Sequence, residues 1–271
     1  MPELPEVEVV KRGLGPLLEG RWVQAVHRAV PSLRYALPDM NVLVGLACER
    51  ITRRAKYLLF HFDKDVLLVW HLGMTGQLHV LAGDAPHARH EHVCIDFTGG
   101  RSLRYRDVRK FGYVGLMHAA AWQQHPWFSQ LGVEPLSGAF DGAYLHARCA
   151  QRKASIKHVL MDAHTVVGIG NIYAAEALFR AGIHPARQAR RISAKRLHVL
   201  AAHVKGVLRE AIMAGGSTID DFVRVDGRPG YFAFSFQVYG RAGKVCMRCG
   251  SVIRRMVLAG RGTFYCSGCQ H

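Results

Sequence analysis

"CMRCGSVIRRMVLAGRGTFYCSGC", residues 246–269, holds two Cys-x-x-Cys pairs, Cys246/Cys249 and Cys266/Cys269, sixteen residues apart. Each pair turns two sulfurs toward one point, and two such turns joined by a hairpin make a four-thiolate zinc site. The residues between the pairs have that form: an apolar strand, a Gly-Arg-Gly tip and an aromatic strand. Four protein ligands saturate tetrahedral zinc, so one structural ion is expected. Disulfides are the competing reading; no secretion signal is evident, and pairs spaced this way rarely close well as bridges. The ribbon's tip residue, Arg261, is either a grip for phosphate or a solvated turn. The remaining cysteines, Cys48, Cys94 and Cys149, are scattered and read as reduced thiols.

The rest of the chain is organised in two further blocks. Residues 3 to about 18 predict a helix, because Val7, Val10, Leu14, Leu17 and Leu18 fall on one face. Glutamates in its first turn favour the positive end of the helix dipole, and Pro5 is tolerated there. From Trp22 to about His118 the pattern turns to period two. "VLVGLACERI" (42–51), "KYLLFHF" (56–62), "VLLVWHLG" (66–73), "HVCIDF" (92–97) and "RSLRYRDV" (101–108) predict strands, with a hairpin turn at Thr98–Gly100. Short strands in succession suggest a sandwich or barrel. After about Pro126 helical spacing takes over in "AYLHARCAQ", "SIKHVLMDA", "NIYAAEALFRAG" and "AKRLHVLAAHVKGVLREAIMAGG", with Gly182 and Gly215 at C-cap positions. The expected fold is therefore α+β and multidomain. It comprises an N-terminal β-sandwich domain with a leading helix (1–125), a helical domain (126–220), and a loop with the four-cysteine finger (221–271).

Charge narrows the function. Lys and Arg total 36 against 20 acidic residues, a net charge of +16 over 271 residues. A surplus of that size points to a polyanion, and nucleic acid is the commonest. No run approaches the ~20 apolar residues that span a bilayer, and no basic amphipathic helix suggests a membrane surface. A cytoplasmic protein is expected.

Six separated blocks now carry a resemblance: "PELPEVE" (2–8), "RRAKYLLF" (53–60), "HLGMTG" (71–76), "RDVRKFG" (106–112), "VGIGNIYAAEALF" (167–179) and "GRGTFYCSGC" (260–269). In this order they resemble bacterial formamidopyrimidine-DNA glycosylase over nearly the whole chain. The resemblance implies a monomeric base-excision repair enzyme that removes oxidised purines, such as 8-oxoguanine and formamidopyrimidines, from double-stranded DNA. It then cuts the strand at the abasic site. The implied fold is a β-sandwich, a helix–two-turns–helix domain and a zinc finger, with no cofactor beyond the zinc.

The resemblance also assigns residues, and elementary chemistry supports the first of them. With Met1 removed, Pro2 exposes a secondary amine able to form an iminium with the sugar C1′. An α-amino group titrates near ~7.7–8.0 against ~10.4 for lysine, so far more of it is nucleophilic at working pH. Glu3 resembles the family's proton-transfer carboxylate, and Glu6 would hold the helix start. Lys56 and Arg261 match residues assigned to proton donation at the phosphate and to the second elimination. Met74, Arg109 and Phe111 match the side chains that fill the hole left by a flipped base. By itself each apolar member of that triad is more often a core residue. "RHEHV" (89–93) puts His90 and His92 on one face of a strand, a pattern that could suggest a metal site but has no third ligand nearby. His90 matches a DNA contact, while His92 reads as a packed core histidine. Arg152, Lys153 and Lys157 supply basic groups before and at a helix start, a natural phosphate grip. "VGIGNIY" lacks the Lys-Ser/Thr ending of a phosphate-binding P-loop; Asn171 and the following helix N-terminus would instead hold phosphates beside the lesion. "VDGRPGYFAFSFQVYGR" (225–241) resembles a loop that covers the extruded base. Two rivals are an endonuclease-VIII-like glycosylase for oxidised pyrimidines, whose usual start is "PEGPE", and a non-catalytic zinc-ribbon DNA binder.

Overall fold

The computed structural model describes residues 1–217 and 232–271. Residues 218–231, which include the whole Gly-Arg-Pro-Gly segment (227–230) of the expected covering loop, lie outside the described residues. The chain divides into two compact units, Met1–Ser129 with Ala214–Tyr231 and Gln130–Met213 with Phe232–His271.

The first unit opens with helix α1 (Leu4–Leu18). Val7, Val10, Leu14 and Leu18 are fully buried, as their spacing predicts. Eight strands follow: β1 (Val23–Arg28), β2 (Cys48–Arg54), β3 (Tyr57–Phe62), β4 (Val66–His71), β5 (Gln77–Ala82), β6 (Glu91–Phe97), β7 (Arg101–Arg106) and β8 (Tyr113–His118). They form two antiparallel four-stranded sheets ordered β1-β6-β7-β5 and β2-β3-β4-β8. Phe60 and Trp70 from one sheet and Ile95, Phe97 and Tyr105 from the other share a single core with the apolar face of α1. That common core makes the pair a sandwich. The Thr98–Gly100 turn joins β6 to β7 with Phe97 opposite Arg101.

Three local expectations change. The segment 42–51 is not one strand: Met40–Leu43 is a 3-10 turn, and strand β2 begins only at Cys48. The Asp39 carboxylate captures the Asn41 N–H at 3.1 Å and turns the chain there. Lys56 lies in the two-residue turn between Arg54 and Tyr57 rather than on a strand, with Ala55 at φ 55°. His90 also precedes its strand, at φ 69°.

The second unit contains α2 (Gly142–Cys149), α3 (Ile156–Met161), α4 (Asn171–Arg180) and α5 (Ala194–Met213). Asp141 and Ser155 cap α2 and α3 by accepting the Tyr144 and His158 N–H groups. A hairpin of β9 (Ile253–Leu258) and β10 (Arg261–Cys266) packs on α4, where Ala175 and Phe179 share a small core with Val238, Ile253, Cys246 and Cys266. Buried Glu176 of α4 accepts the N–H groups of Gln237, Val238 and Tyr239 at 2.9–3.0 Å and fixes the chain leading into the hairpin. Among the described residues no helix is long and apolar enough to cross a membrane.

Phe60 is fully buried in the sandwich core and 6.2 Å from the Trp70 ring. Phe60→Ala should therefore lower unfolding free energy by about 3–5 kcal/mol in urea titrations.

Candidate functional site

The chain start is tied down rather than frayed. Glu3 is the N-cap of α1 and forms a capping box with Glu6. The Glu3 N–H donates to Glu6 Oε2 at 2.9 Å, and Glu6 Oε1 accepts both the N–H and the hydroxyl of Ser217, at 2.9 and 2.8 Å. Both carboxylates are buried while Pro2 is half-buried. One turn further, Glu8 binds Arg53 of β2 at 3.0 Å, and Arg53 also donates to the Ala55 carbonyl in the Lys56 turn. Burial pushes the Glu8 carboxyl upward, but bonds from Arg12, Arg53 and Lys11 outweigh it and hold the group below its ordinary value. The turn carrying Lys56 is thus anchored to the helix that carries Pro2 and Glu3.

Strand register collects more groups at the same end of the β2-β3-β4-β8 sheet. Tyr57, His71 and Tyr113 lie in one cross-strand row. Their neighbours along the chain are Lys56, the Gly73–Met74 turn and Phe111–Gly112. His71 stacks on Tyr113 at 4.8 Å, and the two tyrosine hydroxyls are 2.9 Å apart. His71 Nδ1 accepts the Gly73 N–H at 3.0 Å, which leaves the ring proton on Nε2. Burial, reinforced by the nearby cations Lys56 and Arg34, lowers its pKa to about 3. His71 is therefore a neutral imidazole at working pH.

Met74 and Phe111 are 37 % and 43 % exposed, although apolar residues of this size usually enter a core. Arg109 is also exposed, its guanidinium 4.6 Å from the centre of the Phe111 ring. Leu33, Arg34, Arg109, Lys110 and Phe111 line an open cleft. His90 is half-buried, while His92 is buried with Nε2 2.8 Å from the Asp107 carbonyl.

In the second unit, Asn171 opens α4. Its side chain accepts from Lys157 Nζ at 2.5 Å and donates to the Gly262 carbonyl at 3.0 Å. Lys157 is 2 % exposed and also donates to Thr263 Oγ1 at 2.6 Å. It joins the start of α4 to the hairpin instead of pointing into solvent. Arg152 is bound to Asp162 at 2.5 Å, and Lys153 is exposed. Arg261, also exposed, is the first residue of β10, opposite Leu258, and follows Ala259 and Gly260 at the tip.

The sulfurs of Cys246, Cys249, Cys266 and Cys269 all lie within 4.8 Å of one another. Cys246–Cys269 and Cys249–Cys266 separations are 3.9 and 3.4 Å. Tetrahedral ligands at about 2.3 Å from zinc stand about 3.8 Å apart, so the donor set fits. Hydrogen bonding from Ser251 draws the Cys249 thiol down to about 6, while burial and the neighbouring sulfurs push Cys269 up to about 12. Four crowded thiols cannot all ionise without a cation to offset their repulsion.

Comparison with known proteins adds the family. Residues 1–114 match the formamidopyrimidine-DNA glycosylase N-terminal domain, 131–223 its H2TH domain, and 243–271 a zinc finger found in FPG and IleRS. A formamidopyrimidine-DNA glycosylase from Aromatoleum aromaticum is 49 % identical over 272 residues, covering 100 % of this chain and 99 % of the relative. Another from Phenylobacterium zucineum is 46 % identical over 286 residues, with both chains covered completely. The chain belongs to the formamidopyrimidine-DNA glycosylase family. Solved relatives include Lactococcus lactis Fpg in complex with DNA containing an abasic site, at TM-score 0.92, 33 % identity and 99 % coverage of each chain. The same protein with Fapy-dG-containing DNA superposes with a TM-score of 0.91 at 33 % identity, covering 99 % of this chain and 100 % of that one. Within this glycosylase fold the four cysteines hold one structural zinc. Nothing in the sequence pattern marks Arg34, whose place depends on a distant loop. His71 stands in the quoted "HLGMTG" block but only cross-strand pairing reveals its neighbours.

Two outcomes follow from these geometries. Cys246→Ala should release zinc, read by metal analysis of the purified protein, and should weaken DNA binding strongly in a titration. For His71, the neutral form is favoured in the fold, so its contribution to stability is present above the ordinary histidine pKa of 6.5. That contribution is lost as pH falls from there toward about 3. Imidazole NMR signals of His71 should accordingly stay unshifted between about pH 5 and 8, where an ordinary histidine titrates.

Proposed function

We propose that this protein flips oxidised purines out of duplex DNA, cleaves the N-glycosidic bond through a Pro2 Schiff base, and nicks the resulting abasic site by β,δ-elimination. The observation that carries this reading is the chain start, held by the Glu3–Glu6 capping box and by Ser217. Such fixation is out of place at an ordinary terminus. It is what a terminal nucleophile requires, since attack at C1′ needs near-contact geometry.

Removal of Met1, favoured by the small residue behind it, frees the Pro2 nitrogen from its peptide bond. The amine attacks C1′ as the base departs and Glu3 moves a proton at the opening sugar. A C2′ proton made acidic by the iminium is lost to a base, and its electron pair passes to the iminium nitrogen to give an enamine. Return of that pair breaks the C3′–O bond and releases the 3′ phosphate. Lys56, at its turn beside α1, serves as proton donor and phosphate contact. His71 offers a neutral Nε2–H donor next to it. Arg261 assists the second elimination, which releases the 5′ phosphate and leaves a one-nucleotide gap.

Met74, Arg109 and Phe111 act as the void-filling set. Their exposure on two adjoining turns suits insertion into a base stack and not a place in the core. His90, Lys153 and Asn171 with the α4 N-terminus contact the DNA backbone. Arg152 and Lys157 act from beneath: the first is already bound to Asp162, the second holds Asn171 and Thr263 in register. The division 1–125, 126–220 and 221–271 is our assignment of catalytic domain, DNA-binding domain and covering loop with finger. The protein works as a monomer on chromosomal DNA, in the cytoplasm at the nucleoid.

Borohydride reduction tests the central step. The mature protein should cross-link to DNA containing 8-oxoguanine opposite cytosine. Pro2→Gly should reduce the adduct by at least about tenfold while gel-shift binding persists, since losing the nucleophile raises a barrier and not a dissociation constant. Excision without any reducible adduct, or activity confined to thymine glycol, would defeat the proposal.

A further inference from the structure

Asp107 is a charged residue with no solvent exposure, placed between the two turns that carry Met74 and Arg109–Phe111. Its Oδ1 accepts the Thr75 hydroxyl at 2.6 Å, and Thr75 Oγ1 accepts the Arg109 N–H at 3.2 Å. Its Oδ2 accepts the Gly112 N–H at 2.8 Å and the Tyr105 hydroxyl at 3.1 Å. The backbone joins in: Asp107 N–H donates to the His90 carbonyl at 3.0 Å, and the Asp107 carbonyl stands 2.8 Å from His92 Nε2. The carboxylate thus bonds to groups on both turns and on the strand beneath them.

The turns also touch backbone to backbone. A Cβ at Gly73, where φ is +66°, would lie 2.4 Å from the Gly112 nitrogen, and one at Gly112 would lie 1.8 Å from the Tyr105 hydroxyl. Burying a carboxylate this completely is expensive, and an apolar pair would stabilise a simple turn equally well. What the carboxylate adds is direction. Three donors converging on one group leave each turn a single position relative to the other.

A wedge needs that property. Opening a base stack costs a few kcal/mol, and exposed side chains on yielding loops would fold back rather than enter it. We propose that Asp107 is the positioning residue for base extrusion: it locks the Met74 turn and the Arg109–Phe111 turn into one rigid blade. This rests on the void-filling reading of Met74, Arg109 and Phe111 given above.

Asp107→Asn keeps the shape but places an amide donor against donors. Extrusion can be followed in stopped flow with 2-aminopurine beside 8-oxoguanine in a duplex. The variant should extrude the base at least about tenfold more slowly, the scale of one lost hydrogen bond to a charged acceptor. Adding it to a Met74→Ala/Phe111→Ala background should slow extrusion less than about twofold further, because coupled groups are non-additive. Thr75→Val, which removes only the hydroxyl bridge, should show the same coupling and serves if Asp107→Asn does not fold. Wild-type extrusion rates in a folded Asp107→Asn or Thr75→Val protein would overturn the proposal. So would a full tenfold loss persisting in the wedge-less background, which marks general damage. If Met74→Ala/Phe111→Ala alone left extrusion untouched, the void-filling reading itself would fall, a separate result from either of these.

Discussion

The Glu6 carboxylate is the constraint on which the proposed chemistry depends. It accepts from the Glu3 N–H on one oxygen and from Ser217 on the other, all within a buried site. A terminal amine is a better nucleophile than lysine at neutral pH, but a terminus is the part of a chain least able to hold a position. Capping the first turn of α1 and binding it to a residue more than two hundred positions away removes that freedom. Glu8 extends the same logic to the Lys56 turn through Arg53.

Buried charges saturated by local donors or acceptors recur in both units. Asp107 holds the turns of the proposed wedge, and Glu176 takes three successive backbone N–H groups ahead of the finger. Lys157 joins Asn171 to Thr263. Each would be costly if left unsatisfied, and each is satisfied by groups whose positions it then fixes. The side chains proposed to meet DNA are mostly exposed on turns above these supports. Rigid anchors below and exposed cations above also suit a chain of net charge +16, whose binding must weaken with salt as counterions are released.

Much was legible without coordinates because the signals are local. The apolar stripe of α1, the runs of β3, β4, β6 and β7, and the Thr98–Gly100 turn follow from spacing and turn chemistry alone. The failures are also local in origin. "VLVGLACERI" looks like a strand by composition, yet the Asp39 side chain bends it into a 3-10 turn first. Lys56 and His90 border strands closely enough to read as members, while their backbones turn away. Met74 and Phe111 have the composition of core residues. Only the turns that carry them, pressed together at Gly73 and Gly112, leave them outside.

By itself the sequence determined the four-thiolate finger, the succession of a helix, a sheet region and a helical region, and the family. Those properties depend on residue type and short-range spacing, which the chain states directly. Tertiary structure alone decided that Lys157 is internal, that His71 is neutral beside Lys56, and that Asp107 joins two turns. A charge's role depends on what surrounds it in three dimensions, and cross-strand register and burial bring together partners dozens of residues apart.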